Sequence, residues 1–253
     1  MTKIKMCGLR SPRDIAAVNE LRPDFAGFIL SRRFWRYIPP EKQQELRGLL
    51  NPEIRAVGVF VDEPADYVAE CARSGTLDVI QLHGSETDSY IRELRQKLRE
   101  AADTEARIPE TVTLMPETQR PDTQKPETGD INSGNDIRIP AGIPIVKAFR
   151  VHTADDVRAA ERSEADGILL DAGTGEGVSF NWDLALLCGR PYILAGGLNP
   201  ENVGRAVRSV RPWGVDVSSG IETDRKKDPA RMRAFAEAVR AADSSAAGGK
   251  TER

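Results

Sequence analysis

The chain contains 253 residues, 40% of them hydrophobic and 30% charged, and its net charge is −3 at pH 7. This length and apolar content suit a single domain with one large core, and the slightly acidic balance argues against a nucleic-acid partner. No apolar run is long enough to span a membrane or to form the core of a signal peptide, so we expect a cytoplasmic protein with no membrane partner.

Eight short apolar segments alternate along the chain with amphipathic ones. Each is apolar on both faces, as expected of parallel strands that are covered by helices. Eight such strands predict an α/β fold, a single (β/α)8 or TIM barrel. The predicted strands are residues 4–7, 25–30, 56–61, 79–82, 145–149, 167–170, 192–195 and 215–217.

Helix-start signals precede the amphipathic segments. Ser11 and Thr153 are N-cap residues with an acidic residue three positions later. Asn199 is predicted to cap a helix whose first turn contains Pro200, and Pro229 begins the last helix. These signals predict a helix in every crossover between strands.

Two segments depart from this pattern. Residues 101–142 are rich in proline, threonine and charge, which predicts a flexible insertion between the fourth helix and the fifth strand. A helix-to-strand connection lies on the barrel face opposite the catalytic one, so we expect the insertion to affect the chemistry little. Residues 243–253 are predicted to form a disordered tail.

Two predicted strands end on small residues that leave backbone N–H groups accessible. The seventh ends at Gly196 and Gly197, and the eighth is followed by Ser218, Ser219 and Gly220, which can open a short helical turn. Converging N–H groups and helix N-termini bind phosphate, commonly after strands seven and eight of a barrel. A tight connection would explain one glycine pair, but the two strand ends together predict a phosphate site.

Polar residues at the carboxyl ends of the strands are expected to face the active site of a barrel. Cys7 ends the first strand, Asp171 ends the sixth, His83 follows the fourth, Asp216 lies in the eighth, and Arg36 follows the second. Cys7 is either a small buried hydrophobic residue or a base beside the phosphate. Asp171 either caps the next turn or acts as an acid. A base and an acid on different strands suit the isomerisation of a sugar phosphate.

Six short motifs follow one another along the chain: Ile4-Lys-Met-Cys7-Gly8, Gly58-Val-Phe-Val61, Gln81-Leu-His-Gly84, Leu169-Leu-Asp171 with Phe180-Asn-Trp182, Gly196-Gly-Leu-Asn-Pro-Glu-Asn202, and Val215-Asp-Val-Ser-Ser-Gly220. In this order they resemble the phosphoribosylanthranilate isomerase family, whose members carry out an Amadori rearrangement in tryptophan biosynthesis. Each motif alone is weak evidence for the family, whereas the six motifs in this order are highly specific for it. The resemblance covers nearly the whole chain outside the insertion and the tail.

The resemblance implies a role for each candidate residue. Cys7 would be the general base and Asp171 the general acid in the isomerisation of N-(5-phosphoribosyl)anthranilate. Arg36 would hold the anthranilate carboxylate through its planar guanidinium group. The other predicted substrate-binding residues are His83, Gly196, Gly197, Asp216, Ser218, Ser219 and Gly220, and no cofactor or metal is expected.

Two features depart from the usual pattern of the family. Phe34 and Trp35 occupy the loop after the second strand, where small or basic residues are more common. Arg32 and Arg33 therefore remain alternatives to Arg36 as the carboxylate ligand. The loop after the sixth strand reads Ala-Gly-Thr-Gly-Glu-Gly, a permuted glycine pattern that we expect to close over the ligand.

Two other functions remain open at this point. The related sugar-phosphate isomerase of histidine biosynthesis has an aspartate at the position of Cys7 and matching phosphate motifs in both barrel halves. A catalytically silent phosphate-binding barrel would not need both Cys7 and Asp171. The other cysteines, Cys71 and Cys188, are far from Cys7 in sequence and predict neither a disulfide nor a zinc site. We expect a small sugar-phosphate substrate as partner, and a monomer or a homodimer.

Overall fold

The computed structural model describes residues 1–105, 142–171 and 182–248. Eight parallel strands close into a barrel in chain order, with β1 paired to β8, which confirms the predicted TIM barrel. The strands are β1 (Lys3–Cys7), β2 (Phe25–Ile29), β3 (Arg55–Phe60), β4 (Val79–Leu82), β5 (Ile145–Arg150), β6 (Gly167–Asp171), β7 (Tyr192–Ala195) and β8 (Gly214–Val217).

The helices pack around the outside of this barrel. The predicted caps are confirmed, because Ser11 and Thr153 each take part in a capping box at the start of their helix. Among the described helices, none combines the length and the apolar character that crossing a membrane requires. The α-helices are α1 (Pro12–Leu21), α2 (Pro40–Leu49), α3 (Ala65–Arg73), α4 (Asp88–Glu105), α5 (Ala154–Arg162), α6 (Val203–Val210) and α7 (Pro229–Gly248).

Two helix predictions are wrong in detail. The described part of the β6–β7 crossover contains a 3-10 helix, Trp182–Leu187, in place of an α-helix. Helix α6 begins at Val203 and not beside Pro200. Asn199 closes a tight turn there, since its Oδ1 accepts from the backbone N–H groups of Glu201 at 3.0 Å and Asn202 at 2.9 Å. Local side-chain bonding of this kind competes with helix formation.

The insertion and the tail are described only at their edges. Helix α4 runs to Glu105, and residues 106–141 of the insertion predicted at about 101–142 lie outside the described part of the chain. The predicted tail at 243–253 is wrong for its first residues, because α7 continues to Gly248. Asp243 anchors this end of the helix by accepting from the backbone N–H and the hydroxyl of Thr2, both at 2.7 Å.

Side chains on each strand alternate between an outer and an inner layer. On β1, Ile4 and Met6 point outward into the main core between strands and helices, whereas Cys7 points into the barrel. The buried apolar residues of the inner layer are Cys7, Val57, Val59, Val79, Val146, Ala148, Leu169, Ile193 and Ala195. Inward-facing residues at the carboxyl ends of the strands therefore converge at one end of the barrel, which we call its mouth.

Candidate active site

Cys7 lies at the carboxyl end of β1 with its thiol inside the barrel. It is only 5% exposed. Its neighbour in the register of β2 is Gly27, and a Cβ at that glycine would lie 2.7 Å from the Cys7 sulfur. Such an approach is too close for any side chain, so the glycine is what makes room for the thiol. Burial raises the pKa of the Cys7 thiol above its ordinary value, and the ammonium group of Lys5 opposes that rise.

Lys5 and Asp216 form an ion pair inside the barrel, one layer deeper than Cys7. The Lys5 Nζ lies 2.9 Å from Asp216 Oδ1, and the two side chains are 3% and 8% exposed. The two residues face each other in the register of β1 and β8. Burial alone would lower the pKa of Lys5, but Asp216 and Cys7 together raise it above its ordinary value. Lys5 is therefore held in its charged form.

Asp171 ends β6 at the same mouth and meets His83. The Asp171 Oδ2 lies 3.0 Å from His83 Nε2, and the other ring nitrogen lies 2.8 Å from the side-chain nitrogen of Gln81. Because an amide nitrogen only donates, His83 Nδ1 accepts from Gln81, which leaves the ring proton on Nε2. His83 thus donates to the Asp171 carboxyl group and orients it. The structure brings His83 to the predicted acid.

The two glycine-containing loops predicted to bind phosphate are in direct contact. Gly196 and Gly197 adopt φ values of 92° and 64°, in the region that favours glycine. A 3-10 turn, Ser219–Ile221, follows β8 as predicted. A Cβ at Gly220 would lie 1.9 Å from the carbonyl oxygen of Leu198, so the turn rests on the loop that follows β7. Backbone from two strand ends therefore meets at one place.

The phosphate loops adjoin Cys7 through one hydroxyl. The Ser218 Oγ donates to the carbonyl oxygen of Cys7 at 3.2 Å. Gly8 follows with a φ of 77°, and a Cβ there would lie 3.1 Å from the same Oγ and 2.7 Å from Arg36 Cδ. The side chains of Ser218 and Arg36 are thus packed against a glycine whose positive φ other residues rarely adopt.

Arg36 is held beside the mouth by a buried acidic residue. Its Nε and Nη2 donate to the two carboxylate oxygens of Glu222, both at 2.8 Å. Its guanidinium group also lies 4.2 Å from the ring centroid of Trp35. Burial would raise the pKa of Glu222, but hydrogen bonds from Arg36 and Lys227 hold it below its usual range. The aromatic residue that departs from the family pattern therefore stacks on the arginine and orients it.

Glu222 and Lys227 belong to a short hairpin after the phosphate turn, made of β9 (Glu222–Thr223) and β10 (Lys226–Lys227). The Lys227 Nζ donates to Glu222 Oε1 at 2.7 Å and to the carbonyl oxygen of Ser218 at 2.9 Å. The hairpin therefore connects Arg36 to the phosphate turn through buried charged groups.

A cavity of about 590 Å³ lies at the carboxyl ends of β3, β4 and β5. It is lined by His83, Arg33 and Lys147 among others. Arg33 is paired with Asp62 at 2.6 Å, and Lys147 lies 3.5 Å from Glu86. The volume is in the range usual for small-molecule sites. His83, which contacts Asp171, lines this cavity, so the cavity adjoins the predicted acid.

Comparison with known proteins decides the family. The family model described as N-(5'phosphoribosyl)anthranilate (PRA) isomerase matches residues 4–115 and 129–238. The chain belongs to the N-(5'-phosphoribosyl)anthranilate isomerase family. A family member from Acetivibrio thermocellus is 38% identical over 96% of this chain and 98% of its own length.

Solved structures of the family share the fold. The phosphoribosyl anthranilate isomerase of Thermotoga maritima is 31% identical, with a TM-score of 0.71 over 95% of this chain and all of its own. A further structure, 30% identical with a TM-score of 0.68, also covers 95% of this chain and 100% of its own. It holds reduced 1-(o-carboxyphenylamino)-1-deoxyribulose 5-phosphate. The family inferred from six motifs is therefore confirmed.

The structure gathers the predicted site residues at one end of the barrel, with one difference in depth. Asp216 lies below the mouth, paired with Lys5. The glycine-rich loop after Asp171 falls in residues 172–181, outside the described part of the chain. The sequence does not predict Glu222 or Lys227 as site residues, because the run Arg225-Lys-Lys227-Asp has the composition of a solvated surface. Lys5 lies within one of the six motifs, but the motif predicts no role for it.

Proposed function

We propose that this chain isomerises N-(5'-phosphoribosyl)anthranilate to 1-(2-carboxyphenylamino)-1-deoxyribulose 5-phosphate, with Asp171 as the general acid and Cys7 as the general base. Membership of the family supports the reaction. The observation that carries the assignment of roles is the placement of both side chains at one mouth, beside the paired phosphate loops. The monomer or homodimer state stays a prediction.

The reaction begins at the ribose ring. Asp171 gives a proton to the ring oxygen, the bond from that oxygen to C1′ breaks, and a protonated Schiff base forms. His83 supports this step by donating to Oδ2, which fixes the plane of the carboxyl group. His83 is in this account a positioning residue, and its contact with substrate stays a prediction. An acid held in one orientation transfers its proton over a short and constant distance.

The second step takes the proton from C2′. The thiolate of Cys7 forms the S–H bond, the C2′–H bond breaks, and its electron pair moves toward the iminium nitrogen to give an enolamine. The enolamine is then protonated at C1′ and its C2′ hydroxyl loses a proton to water, which gives the aminoketone. Ser218 ties the backbone of Cys7 to the phosphate turn, so the 5′-phosphate anchor and the base form one unit.

Two anionic groups of the substrate have separate binding groups in this proposal. The 5′-phosphate is bound by backbone N–H groups of the loops at Gly196–Gly197 and Ser218–Gly220. The anthranilate carboxylate is bound by Arg36, for which Glu222 occupies Nε and Nη2 and so directs Nη1 to the ligand. Arg36 is favoured over Arg33 by its position, since Arg36 lies against Gly8 beside Cys7 and Ser218, whereas Arg33 lies on the β3 side beside Asp62.

The proposal is tested by supplying the substrate in situ and following the loss of its anthranilate fluorescence. Cys7→Ala and Asp171→Asn should each lower kcat by a factor of about 100 or more, the usual effect of removing a general base or acid. Cys188→Ser is the matched control, because that thiol precedes β7 at the opposite end of the barrel. Full turnover in either active-site variant, measured on folded protein, would contradict the role assigned to that residue.

A further inference from the structure

The charged pair of Lys5 and Asp216 stands where a barrel normally has branched aliphatic side chains. Both side chains are at least nine-tenths buried, and their charged atoms are 2.9 Å apart. Taking two charges out of water costs free energy that their attraction often fails to recover, so a buried ion pair is seldom explained by stability alone. The pair therefore calls for another explanation, and one reactive group that it acts on is the thiol of Cys7.

Lys5 and Cys7 share the inner face of β1. They are two residues apart on the same strand, and alternation directs both side chains into the barrel. Lys5 is the charged neighbour that acts most strongly on the Cys7 thiol, and Asp216 acts on that thiol with the opposite sign. The same ammonium group contacts Asp216 Oδ1 at 2.9 Å.

We propose that Lys5 is a positioning residue that stabilises the thiolate form of Cys7, and that Asp216 keeps Lys5 charged and in place. The inference rests on the proposed role of Cys7 as the base. Before turnover the Cys7 S–H bond gives its proton to water, and the resulting sulfur anion lies beside the ammonium group. The anion then takes the C2′ proton, and that proton leaves the sulfur again before the next cycle.

The other charged group that faces Cys7 is Lys227 of β10. Burial raises the pKa of the thiol, Lys5 and Lys227 lower it, and Asp216 raises it. Lys227 is already committed to Glu222 and to the Ser218 carbonyl. Lys5 also acts on the thiol more strongly than Lys227 does, so its removal should change the ionisation of the thiol most.

The ionisation of Cys7 is measured directly by the ultraviolet absorbance of its thiolate. The chain has three cysteines, so a C71S/C188S background leaves one thiol, and subtraction of a C7S/C71S/C188S protein removes the tyrosine signal. Lys5→Met in this background should move the absorbance midpoint to higher pH by about one pH unit or more, as expected when a close opposite charge is lost. Lys5→Arg keeps the charge and should stay near the parent.

The acid limb of the kcat/KM profile should move with the absorbance midpoint. Lys5→Met leaves Asp216 as a lone buried charge and is expected to be less stable. The double variant K5M/D216N removes both charges and serves as the second test. Because Lys5 acts on the thiol more strongly than Asp216 does, the double variant should also titrate at higher pH than the parent.

Unchanged titration of Cys7 in folded K5M or K5M/D216N would overturn the inference, and so would a K5R protein that titrates like K5M. The absorbance is read without substrate, so it is separate from the role of Cys7 in turnover. Full activity of Cys7→Ala would instead reject the proposed base, whatever the titration shows.

Discussion

Gly220→Ala tests whether the two phosphate loops must touch. The added Cβ would lie 1.9 Å from the carbonyl oxygen of Leu198 and 3.0 Å from the Cα of Asn199, whereas ordinary contacts lie at 3.4–4 Å. Both opposing atoms are backbone, so no side-chain rotation can relieve the clash. One loop must therefore move away from the other by about 1 Å or more, and a shift of this size in a substrate-positioning group costs about a hundredfold in rate.

The expected result is a loss of about a hundredfold in kcat/KM, or about 2.7 kcal/mol of transition-state stabilisation. It is measured by the fluorescence assay, together with competitive inhibition by inorganic phosphate, which should weaken in parallel. Gly48→Ala is the matched control, since Gly48 is exposed in α2 and has no heavy atom within 4 Å of the added Cβ. It should leave kcat/KM unchanged and gain up to about 1 kcal/mol of stability from helix propensity.

The reasoning would be refuted by a folded Gly220→Ala protein whose kcat/KM and phosphate inhibition both stay within about twofold of the parent. A loss of stability with normal phosphate binding would have the same consequence. In either case the contact between the loops would matter for packing and not for holding the ligand.

Four further outcomes are expected. Glu222→Gln leaves the buried Lys227 without its carboxylate, and it should lower the free energy of unfolding, measured in urea, by about 3 to 5 kcal/mol. It should also raise KM, because Glu222 no longer holds Arg36 in place as a carboxylate. The folded-state pKa of Glu222 lies below its ordinary 4.5. The stabilisation of the folded state by ionised Glu222 is therefore complete above pH 4.5 and is lost as the pH falls below it. Wild-type stability should therefore decline more steeply below pH 4.5 than that of Glu222→Gln, and equal slopes would contradict the ion-pair account. Ser11→Ala removes a capping box and should lower the free energy of unfolding by about 1 kcal/mol in the same urea assay. An unchanged urea midpoint would contradict this prediction. The family model does not match residues 116–128, and their deletion should leave kcat/KM within about twofold of the parent value. A large loss of kcat/KM in a folded deletion protein would show that this segment reaches the active site.

Short-range signals made much of this protein predictable. Strand β4 and strand β7 begin and end where the apolar runs do, because a strand buried on both faces needs consecutive apolar residues. The cap at Ser11 and the 3-10 turn after Ser218 are likewise set by neighbouring residues. Local competition explains the failure at Asn199, whose side chain satisfied a turn before the helix could start.

The electrostatics of the site required the closed barrel. Lys5 meets Asp216 across 211 positions of sequence, and Arg36 meets Glu222 across 186. No periodicity or spacing encodes such partners, since they are brought together only when the last strand pairs with the first and the hairpin after it folds back over the mouth. The order of residues determined the barrel, the glycine turns and the candidate acid and base. Closure of the barrel decided which charges surround the thiol and the arginine, because burial converts weak interactions in water into strong ones.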